Sequence, residues 1–202
     1  MKKIELRNLV IIAVLAALGA ILRLASVPIM GESNKIVFHN IPIMLSSLAF
    51  GPIAGVVTGI IVDLTSLFYQ PGWNPLYSVA YIMWGLIPGV LKYVVNHRKV
   101  WGLVIIEFVA HLLASTANRL AGMFVRGFEV AFIPVNVEEF QFFIPFLTDF
   151  IKLFAINGII YVGVAVAIVM MLIKIPIDVV ILKILNKRVV DTMILKKDFT
   201  EL

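Results

Sequence analysis

Apolar runs about as long as a lipid bilayer is thick decide what this chain can become. Prolines, glycines and short charged loops cut them. A helix rises ~1.5 Å per residue, so crossing the hydrocarbon layer takes roughly 20 apolar residues. The first run covers about 6–27 and stops at Pro28. The polar segment Gly31-Glu32-Ser33-Asn34-Lys35 follows it. The next run, Ile36 to Tyr69, is too long for one ordinary span and is broken by Gly51-Pro52. Gly-Pro is a turn signal, and a residue before proline avoids helix, so the run predicts a hairpin of helices over about 38–50 and 53–69. The first of the two is short for a full crossing. After the loop Gln70 to Pro75, a fourth helix is expected over about 76–95, with Pro88 inside it, then a basic loop Asn96-His97-Arg98-Lys99 and a fifth helix over about 100–124. Residues 125–143, with Glu129, Pro134, Glu138 and Glu139, read as a long loop. The final apolar run, about 144–185, is too long for one straight span. Lys174 and Pro176 are read as its exit into the interface, followed by an amphipathic continuation and a basic tail.

Composition agrees. The chain is 61% hydrophobic and 14% charged, where a water-soluble domain is usually about half apolar and a quarter charged. The expected fold class is an all-α integral membrane protein, a compact bundle of six transmembrane helices forming a single domain over 1–202. The N-terminal Met1-Lys2-Lys3 and the run after it look like a signal peptide without a convincing cleavage site, so the segment is read as a retained helix. Basic clusters fall at Lys2, Lys3 and Arg7, at His97 to Lys99, and at Lys183, Lys187, Arg188, Lys196 and Lys197. The positive-inside rule puts all three on one side if the spans number six, so both termini are expected to be cytoplasmic. The net charge of +5 is explained by topology without invoking nucleic acid. The absence of cysteine excludes disulfides, thiolate metal sites and cysteine nucleophiles.

Ionisable groups within membrane helices are costly and face a protein interior, a partner or water. Here they are Arg23, Asp63, Glu107, His111, Arg119, Asp149 and Lys152, accompanied by Asn40, Trp73, Asn74, Tyr77, Trp84, Asn118 and Asn157. In a six-span arrangement most of them lie in the outer half, which is the pattern of a pocket open to the outside. Each has a plainer alternative. Arg23 and Arg119 can snorkel to the interface. Asp63 can be the structural partner of a basic residue, Glu107 can bond a neighbouring helix, and His111 can be a hydrogen-bonded core residue. Trp73 and Tyr77 can be interfacial aromatics rather than a lid. His39, His97 and His111 have no metal-ligand spacing, and the chain has no phosphate-binding, dinucleotide or serine-hydrolase motif, so no metal, cofactor or catalytic residue is expected. Asp63 and Asp149 as an intramembrane protease pair is a remote alternative. Ala13, Ala16, Ala17 and Ala20 put small side chains on the first helix at spacings that let another helix approach, either within the bundle or from a partner.

Several blocks together resemble the substrate-binding S components of energy-coupling factor (ECF) vitamin transporters. They are Ile41-Pro42, then Phe50-Gly51-Pro52-Ile53-Ala54-Gly55 with Gly59 and Asp63, then Pro71-Gly72-Trp73-Asn74-Pro75, then Gly85-Leu86-Ile87-Pro88-Gly89. Arg23 and Asp63 make the resemblance closest to the folate-type branch. The resemblance implies a non-catalytic subunit in a bacterial cell membrane that captures a vitamin outside and passes it on. It implies an ECF transmembrane coupling protein and two ABC ATPases as partners, with the alanine face of the first helix meeting the coupling protein. It also implies substrate contacts at Arg23 and Asp63, to which the polar and aromatic groups read above add Asn40, Trp73, Asn74, Tyr77, Trp84, His111, Arg119 and Lys152 as the candidate substrate site. Asp63 suits the amino-pyrimidinone edge of a pterin. Arginine forks suit an anionic glutamyl tail, and the aromatics suit a flat ring. Pantothenate and riboflavin are the alternative ligands. A stand-alone proton-coupled transporter using Asp63, Glu107 and His111 is the alternative mechanism.

Overall fold

The computed structural model describes residues 6–25, 27–30, 34–68, 73–126 and 171–188, with backbone alone for 27–30, 34–36, 119, 123 and 126. Five α-helices run in chain order: α1 Leu6–Leu24, α2 Asn40–Phe50, α3 Pro52–Leu64, α4 Ser78–Leu91 and α5 Val100–Arg126. A further helical stretch, α6, occupies 171–188. One-turn 3-10 segments, Thr65–Phe68 and Pro75–Tyr77, extend α3 and lead into α4. The expected loop beyond Arg126, the stretch 144–170 and the tail after 188 lie outside the described residues.

Two expectations need correction. The segment after α1 forms two short antiparallel strands, Val27–Met30 and Asn34–Ile36, so the described residues are not wholly helical. Lys174 does not mark an exit into the interface. It lies with Pro176 within α6 and is buried, because Asn40 and Asp178 bind its ammonium group inside the bundle.

Helix α2 is the hub. Every residue from Asn40 to Leu48 is buried, the signature of a helix enclosed on all sides. Its 11 residues reach only about 17 Å. The chain reverses at Gly51, whose φ of 103° suits glycine, and Pro52 starts α3 at the first-turn position where its missing N–H costs nothing. Lys92 at the end of α4 donates to the carbonyls of Leu48 (3.0 Å) and Ser47 (3.4 Å) in the last turn of α2, where the Ser47 oxygen also accepts the Gly51 N–H. Buried hydroxyls tie the same elements. Thr58 of α3 donates to Ser46 of α2 at 2.8 Å, and Ser47 donates to the Gly85 carbonyl of α4.

Close contact of α3 with α4 depends on glycine. A Cβ at Gly85 would lie 2.3 Å from the Gly55 carbonyl carbon, and one at Gly59 would lie 2.5 Å from the Tyr81 oxygen. These are backbone atoms, so no rotamer change relieves the clash.

The outer surface is inverted relative to a water-soluble protein. Val14, Ile53, Trp101 and Phe124 are exposed, the last at 82%, while Asp63, Glu107 and Asp178 are buried. Large exposed apolar surface marks contact with lipid or another protein. Two described helical stretches, Leu6–Leu24 and Val100–Gly122, are long and apolar enough to cross a bilayer, and α2, α3 and α4 are shorter apolar helices.

Gly85→Ala should therefore destabilise the bundle by about 1–3 kcal/mol, the usual cost of overpacking. Thermal unfolding of the purified protein in detergent checks this, and an unchanged Tm would contradict the backbone contact at Gly55.

Candidate functional site

Two polar clusters lie inside the bundle. The first gathers where α1 and α3 end and α4 begins. Asp63, only 1% exposed, sits on the last turn of α3. Arg23, in the last turn of α1, donates Nη1 to its Oδ1 at 3.0 Å. Trp73 donates Nε1 to Oδ2 at 3.1 Å, and Ser78 donates its hydroxyl to the same oxygen. The Arg23 guanidinium also lies over the Tyr81 ring, 4.6 Å from its centre, and Tyr81 stacks on His39 at 5.0 Å. A guanidinium held between a carboxylate and an aromatic face keeps its charge at low cost in an apolar setting. Arg23 is thus a buried ion-pair partner, 14% exposed at its side chain, rather than a snorkelling residue.

The second cluster joins α2, α5 and α6. Asn40 is its centre. Its Nδ2 donates to Glu107 Oε1 at 3.2 Å and to Asp178 Oδ2 at 2.6 Å, and its Oδ1 accepts from Lys174 at 2.8 Å. Lys174 and Asp178, one helical turn apart, form an ion pair at 2.9 Å. Glu107 thus bonds a neighbouring helix, as the plainer reading expected. Trp84 borders the cluster: the Lys174 ammonium lies 5.2 Å from its ring centre, and His111 meets it edge-on at 5.1 Å. Among the described residues, His39 Nδ1, Ser66 Oγ, His111 Nδ1 and Asn186 Oδ1 are buried with no hydrogen-bond partner, whereas the Glu107 and Asp178 carboxyls lie within hydrogen-bond reach of each other.

Of the residues singled out in the sequence, Arg23, Asp63 and Trp73 meet directly, and Asn40, Trp84 and His111 belong to the second cluster or its border. Asn74 does something else. Its Oδ1 accepts the Leu76 N–H at 2.9 Å and caps the 3-10 turn that leads into α4. Tyr77, in that turn, brings its hydroxyl near α5, 3.9 Å from where a Gly122 Cβ would stand. Lys152 and the Arg119 side chain lie outside the described residues. The alanines of α1 divide. Ala13 and Ala17 are exposed, whereas Ala16 is 2% exposed and packs inward with Ile12, Leu15 and Gly19. Period 3.6 puts positions 12, 15, 16 and 19 on one face, so Ala16 is corrected to an internal contact.

Sequence reasoning missed Lys174, Asp178 and Ser78. A lysine and an aspartate one turn apart, flanked by isoleucine and valine, were the available signal, because such a pair at i and i+4 shares one helix face. The cavity between α5 and α6, about 700 Å³ and lined by residues including Val104, Phe108, Leu112, Met171 and Ile175, is apolar and offers a polar ligand nothing to bond.

The family model described as ECF transporter, substrate-specific component, matches residues 7–186. A crystal structure of FolT bound with folic acid superposes with a TM-score of 0.60 at 18% identity, covering 91% of this chain and 95% of that one. The structure of the S component of a bacterial ECF transporter superposes with a TM-score of 0.56 at 17% identity, covering 93% and 97%. At such identities the likeness is one of fold. An uncharacterized protein of Mycoplasma pneumoniae, the MG098 homolog, is 24% identical over 150 residues, which are 69% of this chain and 31% of that protein. The chain thus spans about a third of the length of this curated relative.

The buried pair yields a test. Asp63→Asn removes the carboxylate charge that the Arg23 guanidinium bonds and should lower unfolding stability by about 3–5 kcal/mol. Adding Arg23→Met should recover part of the loss, since the Asn oxygen still accepts from Trp73 and Ser78. Denaturant titration in mixed micelles measures both. Equal stability of Asp63→Asn and wild type would deny the pair its structural role.

Proposed function

Because this chain belongs to the family of ECF transporter substrate-specific components, we propose that it captures a folate-like vitamin outside the cell and hands it to a coupling module. In this reading all of 1–202 is one domain with six membrane spans, both termini are cytoplasmic, and the chain carries out no chemistry of its own. The observation that supports capture is the pairing of polar clusters with aromatic faces inside an otherwise apolar bundle. Trp84, Tyr81 and Trp73 line the two clusters, and flat aromatic side chains are natural partners for a flat heterocycle. The fold shared with a FolT structure that holds folic acid supports the folate class over pantothenate, which needs no stacking surface. The proposed division of work is as follows in this reading. The substrate-specific component supplies selectivity, and separate subunits, a transmembrane coupling protein with a pair of ABC ATPases, supply energy.

Within this scheme Asp63 acts as a positioning residue. It fixes the Arg23 fork, the Trp73 indole and the start of α4 in one arrangement, and a site fixed in its bound form loses less entropy on binding. Arg119 and Lys152 are proposed as further cationic contacts, and Tyr77 as part of the rim.

Purified protein should carry a stoichiometric vitamin, identified by mass spectrometry of the denatured sample. A screen that finds no vitamin bound at sub-micromolar concentration would refute the proposal.

The partner surface is proposed for the exposed small residues of α1, Ala13 and Ala17, with the half-buried Ala20 beside them. Small residues let helices approach closely in lipid. Ala17→Trp should abolish co-purification with the coupling protein and leave vitamin affinity unchanged, whereas Ala16→Trp should instead lower the Tm of the isolated chain. Retained assembly in Ala17→Trp would move the contact elsewhere.

A further inference from the structure

We propose that Arg98 and Lys99 of the α4–α5 turn and Lys183 and Lys187 of α6, together with the exposed rings of Tyr93 and Trp101, form a docking surface for the headgroups of anionic phospholipids. The surface lies beyond vitamin capture and stands whether or not the chain binds a vitamin. It requires only that the bundle sits in a bilayer. The ligand chemistry is a phosphate diester held at the edge of an apolar phase.

The four cations share one end of the bundle. Helix α6 runs antiparallel to α5: Lys174 lies by Trp84, whose ring His111 meets edge-on, and one turn further Asp178 shares the Asn40 amide with Glu107. Continued in the same sense, the last turns of α6 come level with the start of α5. Val100 and Val180 accordingly line the same apolar cavity. Lys183 and Lys187, one turn apart and exposed, therefore stand at the end where Arg98 and Lys99 lead into α5. The turn that carries Arg98 and Lys99 is fixed. Asn96 Oδ1 accepts the Arg98 N–H at 3.1 Å, and the Lys99 N–H donates to the Asn96 carbonyl at 3.1 Å. A Cβ at Gly102 would lie 2.0 Å from that carbonyl oxygen, so the turn is seated directly on the first turn of α5.

Nothing on the described surface balances this charge. Among the described residues the carboxylates are Asp63, Glu107 and Asp178, and all three are buried. The ion pairs among those residues join Arg23 to Asp63 and Lys174 to Asp178, which leaves the four exposed cations without a carboxylate there. His97, in the same turn, is held below its ordinary value by burial and then by the charges of Lys92 and Arg98. Such a one-signed surface attracts anions. The neighbouring side chains select the kind of anion. Tyr93 is 75% exposed and Trp101 78%, and Ile184 is exposed between Lys183 and Lys187. Exposed tyrosine and tryptophan beside cations at helix ends match the membrane–water interface, where the ring stays in the lipid and the long basic stems reach up to phosphate. A water-soluble acidic partner would leave that apolar surface unused. The proposed topology turns this end to the cytoplasmic leaflet, whose surface is negative.

The test places the full chain in mixed bilayers of phosphatidylcholine and phosphatidylglycerol, with one lipid or the other brominated on its acyl chains. It reads the quenching of Trp101 fluorescence, taken as the part of the signal that Trp101→Phe removes. In low salt, phosphatidylglycerol should be preferred over phosphatidylcholine beside Trp101 by about threefold or more. The preference should vanish at high salt, where the screening length falls to about 3 Å at 1 M. Replacing Arg98, Lys99, Lys183 and Lys187 together by glutamine should abolish the preference and leave the Tm unchanged. If that variant fails to fold, the wild-type preference and its salt dependence decide. Equal quenching by the two lipids overturns the surface, as does a preference that survives high salt or persists in the folded fourfold variant. Glycerol phosphate at millimolar concentration should not compete, and full competition by it overturns the lipid surface in favour of a soluble phosphate site. Binding of poly-glutamate to the chain in micelles, with equal quenching by the two lipids in bilayers, overturns it in favour of an acidic protein partner.

Discussion

A carboxylate inside an apolar helix bundle must gather donors from elsewhere in the chain, and the architecture at one end of this protein is organised by that need. Asp63 draws Arg23 from α1, Trp73 from the loop and Ser78 from α4. None of these partners is near it along the helix that carries it. Breaking the set would leave charge facing hydrocarbon or an apolar core, so the ends of α1, α3 and α4 are held in register by electrostatic necessity as much as by packing. This is also why that end of the bundle can be polar without being open to slippage.

That arrangement needs α2 at the centre, and α2 is there because of features with little chemistry of their own. Gly51 permits the reversal, Pro52 starts the next helix, and Gly55 and Gly85 let α3 and α4 approach to backbone contact. Being short and enclosed, α2 presents its first turn deep in the bundle, and the first residue of that turn is Asn40. An amide both donates and accepts, so one side chain can join a carboxylate on α5 to an ion pair on α6. The glycine hairpin and the Asn40 network are parts of one design, since the hairpin sets the depth at which the amide sits.

The legible parts of the sequence were those that depend on local rules. The Gly51-Pro52 turn, the Pro88 helix and the Val100 helix follow from turn chemistry and apolar run length, and each lies where expected. Arg23 and Asp63 stood out because charge in an apolar run demands an explanation, and they meet each other across 40 positions. The two strands after α1 were not legible, since three or four residues carry too little period to register. Lys174 was misread because a lysine next to proline at the end of a long apolar run looks like an interface marker. Only tertiary contact with Asn40 shows that it is a core residue. Ala16 and Ala17 have the same side chain, and the spacing alone could not say which of them faces inward.

The two clusters do different structural work. Both are buried and both contain acid and base, so composition does not tell them apart. Their partners do. Asp63 draws donors from three elements and so fixes one end of the bundle, whereas Glu107 and Asp178 face each other across the Asn40 amide and join α2, α5 and α6. Two carboxyls brought together in an apolar interior repel when both are ionised, so the second cluster holds together only because Asn40 and Lys174 supply donors to it.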